Sequence, residues 1–295
     1  MEGTDFEELA QPAQVNRSAI TPRADRERAG RCMASFLRPY HPSNRDAMLK
    51  VKNEVNAAGS TAGATISGDP RMPSLSELAP LLAETGRALH ARGWALGTSG
   101  NFSAVVRRDP LVLAISRSGA EKGRLTAADI LEVDGNGLPL EAEAKPSDET
   151  VVHLAVARER GAGAVLHTHS VWNTLLSEAA GEAGGLAISG YEMLKGLHGV
   201  TSHEHTEWVP VLENTQDYGR MTRDVAEALA KNPSAHGLLL RSHGLYAWGR
   251  DLNEARRHVE VFEFLFEVVG RLYAANGRLR AADARVRAGG QHGDD

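Results

Sequence analysis

Residues 164–170 read AVLHTHS, an apolar run that ends in two histidines one residue apart. Along a β-strand the side chains of residues i and i+2 share one face, roughly 6 to 7 Å apart. A strand here therefore sets His167 beside His169, and two imidazoles so placed can grip a metal ion. The same pattern also describes a buried histidine that satisfies the core beside one that faces solvent. The pair alone does not choose between these readings.

Working outward from that run, alternating and β-branched stretches predict strands at Phe102–Val106, Leu111–Ser116, Ile130–Val133, Ala164–His169, Leu186–Ser189 and Trp208–Leu212, and a pair in GLLLRSH and GLYAWG. Helices are predicted after Pro73, from Ser147 to Gly161, in a short piece from Val171, and near Thr222–Ala230. The first is opened by Ser74 and Glu77 at capping-box spacing, with Ser76 as the alternative cap because Pro80 is tolerated only near a first turn. It is closed by Gly93. After GLYAWG, the residues Leu252, Ala255, Val259, Phe262, Phe266, Val269 and Leu272 form one apolar stripe of a long helix. Several strands adjoin through tight turns such as DGNG. That argues for an α/β protein whose sheet has mixed direction and is covered by helices, not for a parallel βαβ ladder.

The chain has 295 residues, 42% of them hydrophobic and 24% charged, with a net charge of -5. This is the composition of an ordinary globular protein, without the basic surplus of a nucleic-acid binder. Cys32 is the one cysteine, so no intramolecular disulfide and no thiolate zinc cage can form. No apolar run reaches the ~20 residues that span a bilayer, and the start, MEGTDFEELA, lacks the order of a signal peptide. A reduced, cytoplasmic protein is expected. Residues 1–71 are rich in Pro, Gly, Ser and Arg and are expected to be a disordered extension, with short helices at Asp25–Leu37 and Ala47–Asn56, or else to precede a translation start at Met72. Residues 72–277 are expected to form the ordered domain and 278–295 a polar tail.

Further chemistry lies in four places. His243, in LLLRSHGLY, follows an apolar strand and precedes a glycine that permits close approach. Three neutral imidazoles with an open position make a catalytic rather than a structural zinc site, although spacing alone does not join His243 to the pair. The rival HEH at His203–His205 sits in a polar segment and reads as a turn or substrate loop. Anion recognition is suggested by the turn GTSGNFS, by SRSGAEKG with Lys122 near it, and by KPSDET at a helix start, where backbone N–H groups and hydroxyls converge. Glu192 and Glu149 are the candidate general acids or bases, and Glu149 alternatively serves only the helix dipole.

In their order, GTSGNFS, SRSGAEKG, KPSDET, HTHS and RSHGLYAWG resemble the class II aldolase/adducin family across roughly residues 77–272. The resemblance implies a three-layer α/β/α sandwich with a mixed, mostly antiparallel central sheet, and one zinc on His167, His169 and His243. It implies a homotetramer with sites near subunit boundaries. It also implies a small phosphorylated ketose substrate, held by Ser99, Gly100, Asn101, Ser118, Gly119 and Ser147, with Glu192 as catalytic acid/base. Asp148 stands where aldolases of the family tend to have a second serine, and whether Glu149 reaches the metal stays open. The stretches YEMLKGL and TSHEHTEWVPVLENTQD favour a branch that eliminates water over the sugar-phosphate aldolases. The alternatives are retro-aldol cleavage and a non-catalytic adducin-like interaction protein.

Overall fold

The computed structural model describes residues 72–276, apart from 142 and 144. The N-terminal extension, its two expected helices and the polar tail lie outside the described residues. The strands are β1 (Asn101–Arg108), β2 (Leu111–Ser116), β3 (Ile130–Asp134), β4 (Ala164–Thr168), β5 (Gly185–Ser189), β6 (Thr206–Leu212), β7 (Gly237–Leu240) and β8 (Gly244–Gly249). The helices are α1 (Leu75–Ala91), α2 (Thr150–Arg160), α3 (Val171–Ala180), α4 (Tyr218–Lys231) and α5 (Leu252–Asn276). The strands form one sheet in the order β3-β2-β1-β4-β8-β7-β6-β5. Every pairing is antiparallel except β6 with β7.

β4 runs through the middle of this sheet and is buried along its length. Its alternation assigns the layers. Leu166 packs into one core with Leu82 of α1, Leu176 of α3 and Phe266 of α5. Val165, pointing the other way, packs with Val156 of α2, Val225 of α4 and Trp248 of β8. The sheet thus has α1, α3 and α5 on one face and α2 and α4 on the other, the expected three layers. At about 1.5–3 kcal/mol for each fully buried large apolar side chain, these two cores hold β4 as a rigid platform.

Ser74, not Ser76, caps α1, with the predicted box to Glu77, and the helix accommodates Pro80 within it. Gly93 takes the left-handed conformation just beyond the helix end. α2 begins at Thr150, three residues later than predicted, because Ser147–Glu149 form a turn in which Thr150 bonds back to the Ser147 carbonyl. α4 begins at Tyr218, earlier than predicted, because the Asp217 side chain accepts from Arg220 N and caps it.

Strand direction positions the site. β4 and β7 are both antiparallel to β8, so they point the same way. β1 is antiparallel to β4, so its first residue, Asn101, lies opposite His167. The end of β4, the turn after β7 and the start of β1 therefore meet at one end of the sheet.

Candidate active site

His167 is the penultimate residue of β4, His169 follows its end, and His243 lies in the turn between β7 and β8. Their side chains converge, with one ring nitrogen from each lying within 4.8 Å of the others. Two glycines permit this approach. A Cβ at Gly244 would lie 2.3 Å from the Thr168 carbonyl oxygen, and one at Gly100 2.6 Å from that of His167. Ser242 adopts a left-handed φ of 52°, a conformation costing a non-glycine residue roughly 1–2 kcal/mol. Its N–H donates to Ser177 Oγ at 3.0 Å and its hydroxyl to Glu178, which hold the turn that presents His243.

The outer nitrogens decide what the inner ones can do. His167 Nδ1–H donates to the Leu245 carbonyl at 2.9 Å, and His243 Nδ1–H to Asn214 Oδ1 at 3.3 Å. Neutral rings then carry lone pairs on Nε2. These two Nε2 atoms are 3.3 Å apart, and His169 Nε2 is 2.7 Å from that of His167. Burial holds the His167 imidazole well below its ordinary basicity, and burial followed by the neighbouring His243 lowers His169 to about 4. Glu149 adds a carboxylate, with Oε1 3.1 Å from His243 Nε2 and Oε2 3.6 Å from His167 Nε2. Burial pushes that carboxyl up, but the His243 hydrogen bond, the two histidines and Asn101 outweigh it and hold it well below the usual range. With the rings neutral, these nitrogens and the carboxylate are all acceptors, and positive charge among them, a proton or a divalent cation, would hold them together. The 3.3 Å separation suits two nitrogens on one tetrahedral zinc, for which bonds of about 2.1 Å give about 3.4 Å, while the 2.7 Å between His169 and His167 would open by about 0.7 Å to match.

Asn101 Nδ2 donates to Glu149 Oε2 at 2.7 Å and to Ser147 Oγ at 3.3 Å. Glu149, the cap residue of α2, makes no side-chain cap bond. It faces the histidines instead.

A cleft of about 330 Å³ opens beside the histidines. Ser99, Gly100, Asn101, Ser118, Gly119 and Ser147 all line it, with Lys122, Asp148, Glu149 and Tyr218. Lys122 is 1% exposed and donates from Nζ to the carbonyls of Thr98 (2.9 Å) and Ala120 (2.8 Å). Burial lowers its ammonium to about 8, which still leaves it cationic at neutral pH. Asp148 lines the same cleft, so the anion pocket carries charge of both signs.

Glu192 is elsewhere. β5 is antiparallel to β6, which runs with β7, so β5 ends at the opposite end of the sheet from the histidines. Glu192 lies three residues beyond that end, 69% exposed, paired with Lys195 Nζ at 2.5 Å and His203 Nδ1 at 3.4 Å. His205 of the HEH stretch turns inward to the buried Glu207, 3.0 Å away. Residue pattern alone missed Asn214, Ser103, His153 and Tyr246. Only the spacing of Glu149 and His153, four apart on one helix face, carried a signal for any of them.

This fold, with three histidines at the strand ends beside a polar turn cleft, defines a class. Residues 80–269 match the Class II Aldolase and Adducin N-terminal domain, and the chain belongs to that family. It is 42% identical to methylthioribulose-1-phosphate dehydratase of Marinobacter nauticus over 63% of this chain and 89% of that protein. It is 46% identical to the dehydratase of the same name from Xanthomonas campestris pv. campestris, over 65% and 87%. Among solved structures, L-fuculose-1-phosphate aldolase of Thermus thermophilus superposes with a TM-score of 0.55 at 30% identity, covering 69% of this chain and all of that one (100%). No helix of the described residues is long and apolar enough to cross a membrane.

Proposed function

We propose that the chain is a zinc-dependent hydro-lyase that converts 5-methylthioribulose 1-phosphate to 2,3-diketo-5-methylthiopentyl 1-phosphate, a methionine-salvage step, in the cytoplasm. The observation that carries the metal-site reading is the convergence of His167, His169 and His243. The dehydratases at 42% and 46% identity favour this substrate over that of the structurally similar aldolase.

His167, His169 and His243 would hold the zinc, which would supply Lewis-acid polarisation of a ketose carbonyl. The turn residues Ser99–Asn101, Ser118, Gly119 and Ser147, with Lys122, hold the phosphate and so fix which carbon faces the histidines. Glu149, kept ionised, is a poor proton carrier near neutral pH and fits the metal side of the site. Glu192 takes the C3 proton, the C3–H electron pair forms a C3–C4 double bond as the C4–O bond breaks, and the proton returned to the departing hydroxyl releases one water, leaving an enol that tautomerises to the 2,3-diketone. Glu192 gives that proton. Because it stands at the far end of its own sheet, it serves the histidines of a neighbouring copy, which makes the active unit a homo-oligomer, by family resemblance a tetramer.

Incubating zinc-loaded protein with 5-methylthioribulose 1-phosphate and following products by mass spectrometry tests this. Loss of one water supports the reading. Cleavage into two carbonyl fragments supports an aldolase instead, and unchanged substrate with no bound metal supports a scaffold.

A further inference from the structure

Behind the histidine cluster lies a row of buried polar groups that the proposed chemistry does not use. His153, on α2, is fully buried (0% exposed). Its Nδ1 lies 2.7 Å from Ser103 Oγ on β1, and its Nε2 meets Asn101 Oδ1. The ring of Tyr246 wedges against it edge-on, with centroids 5.6 Å apart.

The direction of this row is set by its end. Asn101 must present its NH₂ to the Glu149 carboxylate, 2.7 Å away, so its carbonyl oxygen is the atom that faces His153. Only an N–H on His153 Nε2 satisfies that oxygen. Nδ1 is then the acceptor, and the Ser103 hydroxyl, 2.7 Å from it and 3.5 Å from the Val165 carbonyl, donates to the nearer nitrogen. Burial lowers this imidazole to about 4 against the opposing charge of Glu149, which agrees with a neutral ring. Were the His153 donor lost, the Asn101 amide could turn over and set its oxygen against the carboxylate, where two acceptors repel.

We propose that His153 is a positioning residue: its Nε2–H locks the Asn101 amide, which holds the Glu149 carboxylate towards His167 and His243 and so raises the metal affinity of a site His153 does not touch. This rests on the metal reading of the three histidines but not on the identity of the substrate.

Two substitutions separate positioning from mere filling of space. His153→Gln carries an N–H where Nε2 sits, and His153→Asn one where Nδ1 sits. The readouts are zinc affinity by competition with a chromophoric chelator, the visible spectrum of bound Co²⁺, and thermal unfolding of the metal-free protein. His153→Asn is expected to bind zinc about 10–100-fold more weakly, the usual penalty for losing an outer hydrogen bond, and to shift the Co²⁺ spectrum. His153→Gln is expected to restore both. Equal behaviour of the two variants, at wild-type affinity or equally weakened, overturns the proposal. Ser103→Ala, which leaves the histidine cluster intact, is expected to weaken binding severalfold by freeing the ring to turn over. Unchanged affinity there overturns the row even if both histidine variants fail to fold. A wild-type protein that takes up neither zinc nor Co²⁺ overturns the metal reading and this inference with it.

Discussion

Tyr246 lies flat on His167, with ring centroids 3.9 Å apart and an interplanar angle of 9°. The stack comes from adjacent strands, because Tyr246 is the direct partner of His167 in the β4–β8 register. The ring, rather than the hydroxyl, makes the contact. Tyr246→Phe keeps the stack and gives up only the hydroxyl that faces Glu149, so its zinc affinity should fall far less than that of Tyr246→Ala, which opens a cavity beside His167 and should cost about 3–5 kcal/mol in chemical denaturation.

Metal removal should show in stability. A ligand at 100 times its Kd adds about 2.7 kcal/mol, and at about 2–4 °C per kcal/mol for a domain of this size a chelator should lower the Tm of zinc-loaded protein by about 5–10 °C. His243→Ala should unfold at one temperature with or without the chelator. A wild type equally indifferent to it would remove the zinc site.

Glu263 predicts a pH effect in the stability of the β4 platform. Its carboxyl, 2% exposed on α5, accepts at Oε1 from Thr168 Oγ1 and Asn173 Nδ2, both at 3.1 Å. Burial raises it from 4.5 to about 7 against hydrogen bonds from Ser170, Thr168 and Asn173. The folded state therefore holds a proton that the unfolded chain has released, so folding loses stability as pH rises from 4.5, and the loss levels off above about 7. Glu263→Gln mimics the neutral acid. Its stability relative to wild type should grow between pH 5 and pH 8 by about 2.5 kcal/mol, and a gain independent of pH would show that Glu263 is ionised in the fold.

Position of Glu192 at the end of the sheet away from the histidines predicts complementation between inactive variants. Glu192→Gln and His243→Ala should each be inactive alone. Mixed after dissociation and reassembly, they should recover part of the activity, because some sites then combine an intact histidine cluster with an intact Glu192. If the mixture stays dead while mixed oligomers form, Glu192 does not act across copies.

Lys122 is the buried cation of the cleft, and its replacement tests phosphate binding. A hydrogen bond to a charged group contributes about 1.5–3 kcal/mol, so Lys122→Gln should raise KM by about 10–100-fold with a smaller change in kcat. An unchanged KM would place the phosphate elsewhere.

Much of this site was legible in short stretches. HTHS at the end of an apolar run, the glycine turns GTSGN and SRSGA, and the glycine after His243 are local patterns whose geometry follows from strand period and backbone sterics. In the structure the three histidines converge and the turns line one cleft. Helix starts were less legible, because a turn at Ser147–Glu149 and a cap at Asp217 depend on single hydrogen bonds. Ser103 and Tyr246 carried no functional signal, and His153 only its spacing from Glu149, since each looks like an ordinary residue of its own strand or helix until the sheet brings them together.

What the sequence determined by itself is what spacing determines: His167 and His169 share a strand face because side chains alternate with period two. Which distant groups meet them was decided by tertiary structure. His243 and Asn101 join the pair because β7 runs with β4 and β1 runs against it. Glu192 is carried away because β5 runs the other way, and Glu149 is turned from its helix towards the histidines by Asn101. Strand order and direction are set by how the two cores close around the whole sheet, and no local stretch of chain encodes that closure.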